Sequence, residues 1–269
     1  MTVPIALTIA GSDSGGGAGI AADLKTFAAL QVYGAAAITA LTAQNTLGVA
    51  GTFDVPAHFV SAQIDAVFSD LAIAATKIGM LSRTETIEAV AAGLDRHAAK
   101  NVVLDPVMAA ASGDRLLQPD AIAALKRTLI PRALLVTPNL AEAAALLDAP
   151  LAANETEMRK QGEALLSLGC QAVLVKGGHG AEPEAVDLLI ERGGVRRYAA
   201  RRFDTKNTHG TGCTLSAAIA AGLAKKASLG DAVAAAKDFV TGAIAAADRL
   251  AVGKGRGPLH HFFAWWPKA

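Results

Sequence analysis

The run Asn207-Thr-His-Gly-Thr-Gly-Cys-Thr-Leu-Ser-Ala-Ala218 carries the most legible chemistry in this chain. Gly210 and Gly212 permit a tight turn, and the alanine-rich segment behind them predicts a helix beginning at Thr211. The amides of Thr211, Gly212 and Cys213 would then lack acceptors inside the helix. Together with the positive end of its dipole they would cradle a phosphate or an oxyanion. Cys213 would stand on the first turn, where that field lowers a thiol pKa. Two chemistries suit such a place: phosphoryl transfer, and attack or proton abstraction by a thiolate. A plain loop-to-helix junction around a small buried cysteine fits the same residues.

Other polar residues follow apolar, strand-like runs. The loop Gly11-Ser-Asp-Ser-Gly-Gly-Gly-Ala-Gly19 matches neither the dinucleotide fingerprint nor the P-loop, which needs a lysine. It reads as a small-residue surface for a flat ligand, or as a turn in which Ser12, Asp13 or Ser14 caps the next helix. Asp23, taken alone, reads as a carboxylate near the start of that helix. Gln44 offers a donor beside an acceptor, which suits an amino group next to a ring nitrogen, though in isolation the residue reads more readily as a capping loop glutamine. Met80 and Val107 are core residues by default, yet both follow strand ends and could sandwich a small ring.

Asp105, Asn139 and Glu142 supply hard oxygens for Mg²⁺ or its water shell. Asn139 and Glu142 also have the spacing of a capping box. Lys176 closes an apolar strand before Gly177-Gly178 and could neutralise transferring phosphate charge, or be a surface lysine. His179, His209, His260 and His261 follow no zinc spacing. His260, His261, Trp265 and Trp266 read as a tail docked on the domain or on a neighbouring subunit, and Cys170 as an inert core thiol.

Elements must place these residues together. In 269 residues, 52% are hydrophobic, 18% charged and only 4% aromatic, so a core of Ala, Val, Leu and Ile is expected. A net charge of +1 leaves no electrostatic footprint for nucleic acid or an anionic membrane. Arg196, Arg197, Arg201 and Arg202 read as a solvated strand face. The uncharged stretch 26–53 is too rich in glycine and polar residues to span a bilayer. Two cysteines without metal spacing and without a secretory signal point to the cytoplasm.

Strands at 5–10, 35–42, 75–78, 102–104, 134–136 and 172–175 alternate with helices at 18–31, 57–68, 84–97, 121–129, 140–147, 155–168, 211–224 and 229–250. An antiparallel hairpin around Arg192-Gly193-Gly194 lies at the sheet edge. The pattern predicts an α/β protein with a mostly parallel, buried sheet in one domain across 1–269. Ligands in such sheets lie beyond the carboxyl ends of the strands, so the polar residues above should gather on one rim.

Several segments together resemble a known family: Ala10-Gly-Ser-Asp-Ser-Gly-Gly-Gly-Ala-Gly-Ile-Ala-Ala-Asp-Leu-Lys-Thr-Phe27, Thr39-Ala-Leu-Thr-Ala-Gln-Asn45, Lys77-Ile-Gly-Met-Leu81, Thr137-Pro-Asn-Leu-Ala-Glu142, Lys176-Gly-Gly-His179, Asn207-Thr-His-Gly-Thr-Gly-Cys213 and Val252-Gly-Lys-Gly-Arg-Gly-Pro-Leu-His-His261. The chain resembles the hydroxymethylpyrimidine/phosphomethylpyrimidine kinases of thiamine biosynthesis over nearly its whole length. The resemblance implies a ribokinase-like three-layer α/β/α sandwich. It implies two ATP-dependent phosphorylations, of 4-amino-5-hydroxymethyl-2-methylpyrimidine and then of its monophosphate. By position, Gln44, Gly11, Ala18, Asp23, Met80 and Val107 would hold the pyrimidine, and Gly210, Thr211, Gly212 and Cys213 would form the anion hole. Lys176, Asp105, Asn139 and Glu142 would manage the triphosphate, with Mg²⁺ near Asp105 and Glu142, partly through water.

The resemblance leaves a pyridoxal or pyridoxine kinase as the nearest rival and a non-catalytic pyrimidine-binding module as a more distant one. It is compatible with a homodimer acting on small molecules, with no nucleic-acid or membrane partner. Cys213 stands where ribokinase-like sugar kinases carry an aspartate base. Ser14 and Gly15 replace a Pro-Ser pair of the family loop, and Ala22 replaces a glutamine beside Asp23; none of these removes an expected ligand contact.

Overall fold

A computed structural model describes residues 3–109, 116–178 and 184–267. His179 lies outside the described residues. The main sheet has eight strands in the order β10-β9-β8-β7-β6-β5-β1-β2. They are β1 (Ile5–Ala10), β2 (Tyr33–Ile38), β5 (Ala75–Ile78), β6 (Val102–Leu104), β7 (Leu135–Val136), β8 (Ala172–Lys176), β9 (Glu184–Glu191) and β10 (Gly194–Arg201). From β2 to β8 the pairings are parallel, while the β9–β10 hairpin is antiparallel and extends the edge beside β8.

Helices cover both faces, and the strand side chains alternate between two cores. Leu7, Ile9, Val102, Leu104, Val173 and Val175 join a cluster with α2 (Ala57–Asp70), α3 (Thr84–Arg96), α5 (Leu140–Leu147) and α6 (Glu155–Leu166). Ala6, Val103 and Leu174 join the other cluster with α1 (Gly19–Ala29), α7 (Thr211–Ala224) and α8 (Leu229–Ala245). Burial on both faces explains the continuously apolar strands. Each large side chain so enclosed, such as Phe27 or Ile64, contributes about 1.5–3 kcal/mol.

Helix α7 is buried on almost every side from Thr214 to Ala221, between the sheet, α1 and α8. Its small residues follow from that: a Cβ at Gly222 would already lie 2.9 Å from the Ala232 Cβ on α8.

The sequence expectations need three corrections. The segment 35–42 is not one strand. β2 ends at Ile38, and the chain enters a separate antiparallel ribbon of β3 (Ala40–Asn45) and β4 (Gly48–Asp54). Thr39 marks the change: its amide bonds the Ala10 carbonyl, and its buried hydroxyl donates to the Met80 carbonyl at 2.7 Å. Helix α4 (Pro119–Ala124) passes into a π-helical stretch (Leu125–Leu129) instead of continuing as α-helix, and α8 stops at Ala245 before a 3₁₀ turn (Ala247–Arg249). Among the described residues no helix is long and apolar enough to cross a membrane.

The C-terminal tail docks on this chain's own body. His260 and His261 are buried, the Trp265 indole donates to the Ala29 carbonyl at 3.1 Å, and Phe262 stacks on Trp266.

Candidate active site

Two loops meet at the carboxyl rim of the sheet. One is the 11–19 loop behind β1, the other the 207–213 loop that opens α7. Asp13 organises the first. Its carboxylate accepts from the amides of Gly15 at 2.8 Å, Gly17 at 3.0 Å and Ala18 at 2.9 Å. None of Ser12, Asp13 and Ser14 caps α1 as expected: Ala18 occupies the N-cap position without a side-chain cap, and the amides that Asp13 binds all precede the helix. Gly19 and Gly210 both have positive φ, 55° and 83°, and side chains at either would collide with the carbonyls of Gly11 and Gly17 respectively. Gly210 thus sets the second loop against the first, and two helix starts converge.

Helix α7 begins its internal bonding at Thr214, whose amide reaches the Gly210 carbonyl at 2.9 Å. The Thr211 amide, expected to be part of the anion cradle, is instead turned to the Thr208 carbonyl at 3.3 Å. Gly212 and Cys213 are the amides that remain at the helix start without an intrahelical acceptor.

Lys176 faces this helix start, with its Nζ 3.2 Å from where a Gly212 Cβ would lie. It pairs with Asp105 at 2.8 Å and lies 3.9 Å from Glu142. Thr137 Oγ1 donates to Asp105 Oδ1 at 3.1 Å, and Ser216 on α7 approaches Asp105 Oδ2 at 3.4 Å. Burial would lower the Lys176 ammonium, but Asp105 and Glu142 hold it above its ordinary value. Burial likewise opposes ionisation of Asp105, and Lys176 with Lys77 outweighs it, keeping the carboxylate below its ordinary range. Glu142 and Asn139 form both arms of the capping box of α5, at 2.8 and 2.9 Å, so the structural reading of that pair holds. Burial nevertheless pushes the Glu142 carboxyl up to about 7.

Cys213 departs from expectation. Its helix-start position should lower the thiol pKa, yet burial pushes it up to about 11, with Lys77 and a hydrogen bond from the Gly19 amide only partly opposing. The physical reason is desolvation: removing a thiolate from water outweighs a partial dipole charge. At neutral pH the group is a thiol. Cys170, buried and likewise pushed up to about 11, fits an inert core thiol.

Asp23 is not the first-turn carboxylate expected: it lies beyond the first turn of α1, which holds no acidic residue. It is completely buried, pairs with the equally buried Lys77 at 2.8 Å and accepts from Thr8 at 2.6 Å. Burial alone would lower the Lys77 ammonium, but Asp23, Cys213 and Asp105 hold it above its ordinary value. Lys77 is the residue that sequence reasoning passed over. Its signal was a lysine in an otherwise apolar central strand, Ala75–Ile78, where only a partnered charge is tolerated.

Gln44 lies on the ribbon and not directly behind a strand of the main sheet. Its amide nitrogen lies 3.3 Å from His209 Nε2, which also lies 2.9 Å from Asp13 Oδ2. A cavity of about 270 Å³ opens there, lined by Gln44, Asn45, Thr46, Leu47, Gly48, His209, Gly255 and Arg256. Cys213 does not line it; His209, on the loop leading to Cys213, connects the two. Met80 packs its sulfur and methyl against Gly11, each 3.3 Å from where a Gly11 Cβ would stand. Val107 is partly exposed and its amide bonds the Asp105 carbonyl at 2.8 Å. No described contact joins it to Met80.

The 252–261 segment ties these parts together. Arg256 and Gly255 bond Thr46 at the ribbon tip, Gly257 bonds Asn207 and the His209 amide, and His261 reaches the Thr214 hydroxyl at 3.0 Å.

A doubly flanked parallel sheet with a lysine, an aspartate and a glycine-led helix start on its carboxyl rim defines the ribokinase-like class of small-molecule kinases. A model of the phosphomethylpyrimidine kinase family matches residues 13–260, and the chain belongs to that family. It is 62% identical over 262 residues to the hydroxymethylpyrimidine/phosphomethylpyrimidine kinase of Rhizobium meliloti, covering 97% of this chain and 98% of that one. A crystal structure of phosphomethylpyrimidine kinase from Clostridium difficile superposes with TM-score 0.80 at 43% identity, covering 90% of this chain and all of that one (100%). An ADP complex of Bacillus subtilis pyridoxal kinase superposes with TM-score 0.90 at 37% identity, covering 97% and 98%.

Proposed function

We propose that this chain transfers the γ-phosphoryl group of ATP to the hydroxymethyl oxygen of 4-amino-5-hydroxymethyl-2-methylpyrimidine. It then transfers a second one to the resulting monophosphate, giving the diphosphate used in thiamine diphosphate biosynthesis. The observation that carries the reading is the meeting of Lys176, Asp105 and Cys213 at the start of α7. In each transfer the new P–O bond forms as the bond to ADP breaks, and in the first the hydroxyl proton passes to an oxygen of the transferred phosphoryl group and from there to solvent. The transition state is loose, so positioning and charge neutralisation do most of the work.

Lys176 supplies a fixed ammonium to the migrating group, and the Gly212 and Cys213 amides supply donors. Cys213, a thiol at neutral pH, orients the substrate oxygen by hydrogen bonding. The donor set fits Mg²⁺ bound chiefly through water. Asp105 and Glu142 offer two buried carboxyls, but Lys176 and Thr137 already occupy one Asp105 oxygen. Mg²⁺, when bound with ATP, would spread the charge of the phosphates. Gln44 recognises the pyrimidine, with Gly11, Ala18, Met80 and Val107 around it, whereas Asp23, fully buried against Lys77, does not touch the ligand as the sequence suggested. We assign the protein to the cytoplasm and, by the commonest symmetry, to a homodimer.

An assay that follows monophosphate and diphosphate separately tests the reading, with pyridoxal as competing substrate. Sequential appearance of both pyrimidine products is expected. A larger specificity constant for pyridoxal would replace the reading with a pyridoxal kinase, and absence of ADP formation with either ring would leave a binding module.

A further inference from the structure

The Gln44 side chain meets Thr42 Oγ1 at 3.1 Å on one terminal atom and His209 Nε2 at 3.3 Å on the other. The oxygen and nitrogen of an amide have nearly the same shape, so their partners decide which is which.

Asp13 decides the proton on His209. Three backbone N–H groups already converge on that carboxylate, and His209 Nε2 lies 2.9 Å from the oxygen shared by Gly17 and Ala18. A carboxylate accepts only, so His209 Nε2 must carry hydrogen there, whether the ring is neutral or cationic. Burial would raise the Asp13 carboxyl, but hydrogen bonds from His209, Gly15 and Ala18 keep it below its ordinary value, hence ionised. A protonated Nε2 facing the Gln44 NH₂ would set donor against donor.

Thr42 leads to the same conclusion independently. Its hydroxyl has one hydrogen, and the Ser12 carbonyl at 2.8 Å has no other way to use it than as an acceptor. Toward Gln44, Thr42 Oγ1 is therefore an acceptor and calls for the NH₂ group. Turning the amide by half a rotation removes both conflicts: Nε2 donates to Thr42, and Oε1 faces the His209 Nε2 hydrogen as the longer arm, at 3.3 Å, of a bond shared with Asp13 at 2.9 Å.

We propose that Asp13, His209 and Thr42 are positioning residues that lock the Gln44 amide in this orientation and thereby set ring selectivity. One lone pair on Oε1 and one hydrogen on Nε2 then remain for a ligand. They match a ring donor on the His209 side and a ring acceptor on the Thr42 side, which an amino group beside an unprotonated ring nitrogen provides. A 4-oxo ring with hydrogen on the neighbouring nitrogen presents the reverse order, and its hydroxymethyl group, held at the phosphate end, prevents the ring from turning over. An unlocked amide would swing to fit either ring. The inference rests on the pyrimidine kinase reading.

The test compares kcat/KM for 4-amino-5-hydroxymethyl-2-methylpyrimidine and its 4-oxo counterpart in the wild type, His209→Ala and Thr42→Val. Strong wild-type preference for the amino ring is expected, with that preference falling by about tenfold or more in each variant, and with KM for the amino ring moving more than kcat. Thr42→Val lies on the ribbon, away from the anion loop, and carries the test if His209→Ala does not fold. Wild-type preference that is absent, or that survives in a folded variant, overturns the inference. Absence of wild-type turnover of the amino ring would instead defeat the functional reading.

Discussion

Gly210 rests directly on the backbone of Gly17, so closely that a Cβ at position 210 would overlap the Gly17 carbonyl oxygen. Its φ of 83° is also one that side chains adopt at a cost. This contact holds the loop behind β1 and the start of α7 in one assembly. Gly210→Ala should therefore cost about 1–3 kcal/mol in strain and part the loops, lowering both the melting temperature and kcat. Thermal denaturation with steady-state kinetics checks it; a variant normal in both would mean that the loops separate freely.

Lys77 and Asp23 form a buried pair whose members depend on each other. Lys77→Met leaves the buried Asp23 carboxylate with only the Thr8 hydroxyl as partner, in a site where Oδ1 already lacks one, and should cost about 3–5 kcal/mol. Adding Asp23→Asn should recover part of that loss. Urea denaturation of the two single variants and the double variant measures the coupling.

Asp13 has a folded pKa below its ordinary 3.8, because hydrogen bonds from His209, Gly15 and Ala18 outweigh its burial. A depressed carboxyl contributes stability in full above the unfolded value and loses it as pH falls through the lower folded value. Asp13→Asn should thus cost about 1–3 kcal/mol at neutral pH, and the gap to wild type should close only below about pH 4. Stability curves at a series of pH values decide this, and a gap that closes near neutrality would assign it to another group.

Cys213 is a thiol at neutral pH, since burial pushes it up to about 11. Iodoacetamide should label it negligibly at pH 7.5, as read by mass spectrometry of the 207–218 region. In the second transfer the nucleophile is an already ionised phosphate oxygen, so Cys213→Ala should impair the first transfer more than the second. Equal losses in a folded variant would contradict an orienting role toward the hydroxyl.

Gln44→Ala should weaken pyrimidine binding by about 1–3 kcal/mol and leave ATP binding nearly unchanged, because the amide belongs to the ribbon and not to the phosphate end. Calorimetric titration of each ligand separates the two. An unchanged pyrimidine dissociation constant would remove Gln44 from the site.

Much of the architecture was legible locally. Apolar runs bounded by glycine and polar residues marked the parallel strands. The Asn139–Glu142 spacing marked its capping box, and the alanine-rich run after Gly212 marked α7. The ribbon was not legible, because 35–45 has no charge or turn signal where β2 gives way to β3 at Thr39. Lys77 and Asp23 were obscured for a different reason: each looks like a surface residue until the partner that neutralises it, 54 residues away, is in place.

The sequence by itself determined the periodicities, the glycine positions and the residue types at the rim, since these follow from backbone sterics and side-chain chemistry within a few residues. Only the tertiary structure decided charge states and partners. Cys213 is protonated because burial removes the water that would stabilise its thiolate, and His209 and Asp13 meet Gln44 because three distant segments fold onto one another. Desolvation and long-range hydrogen bonding depend on what surrounds an atom, and neighbours in space are not neighbours along the chain.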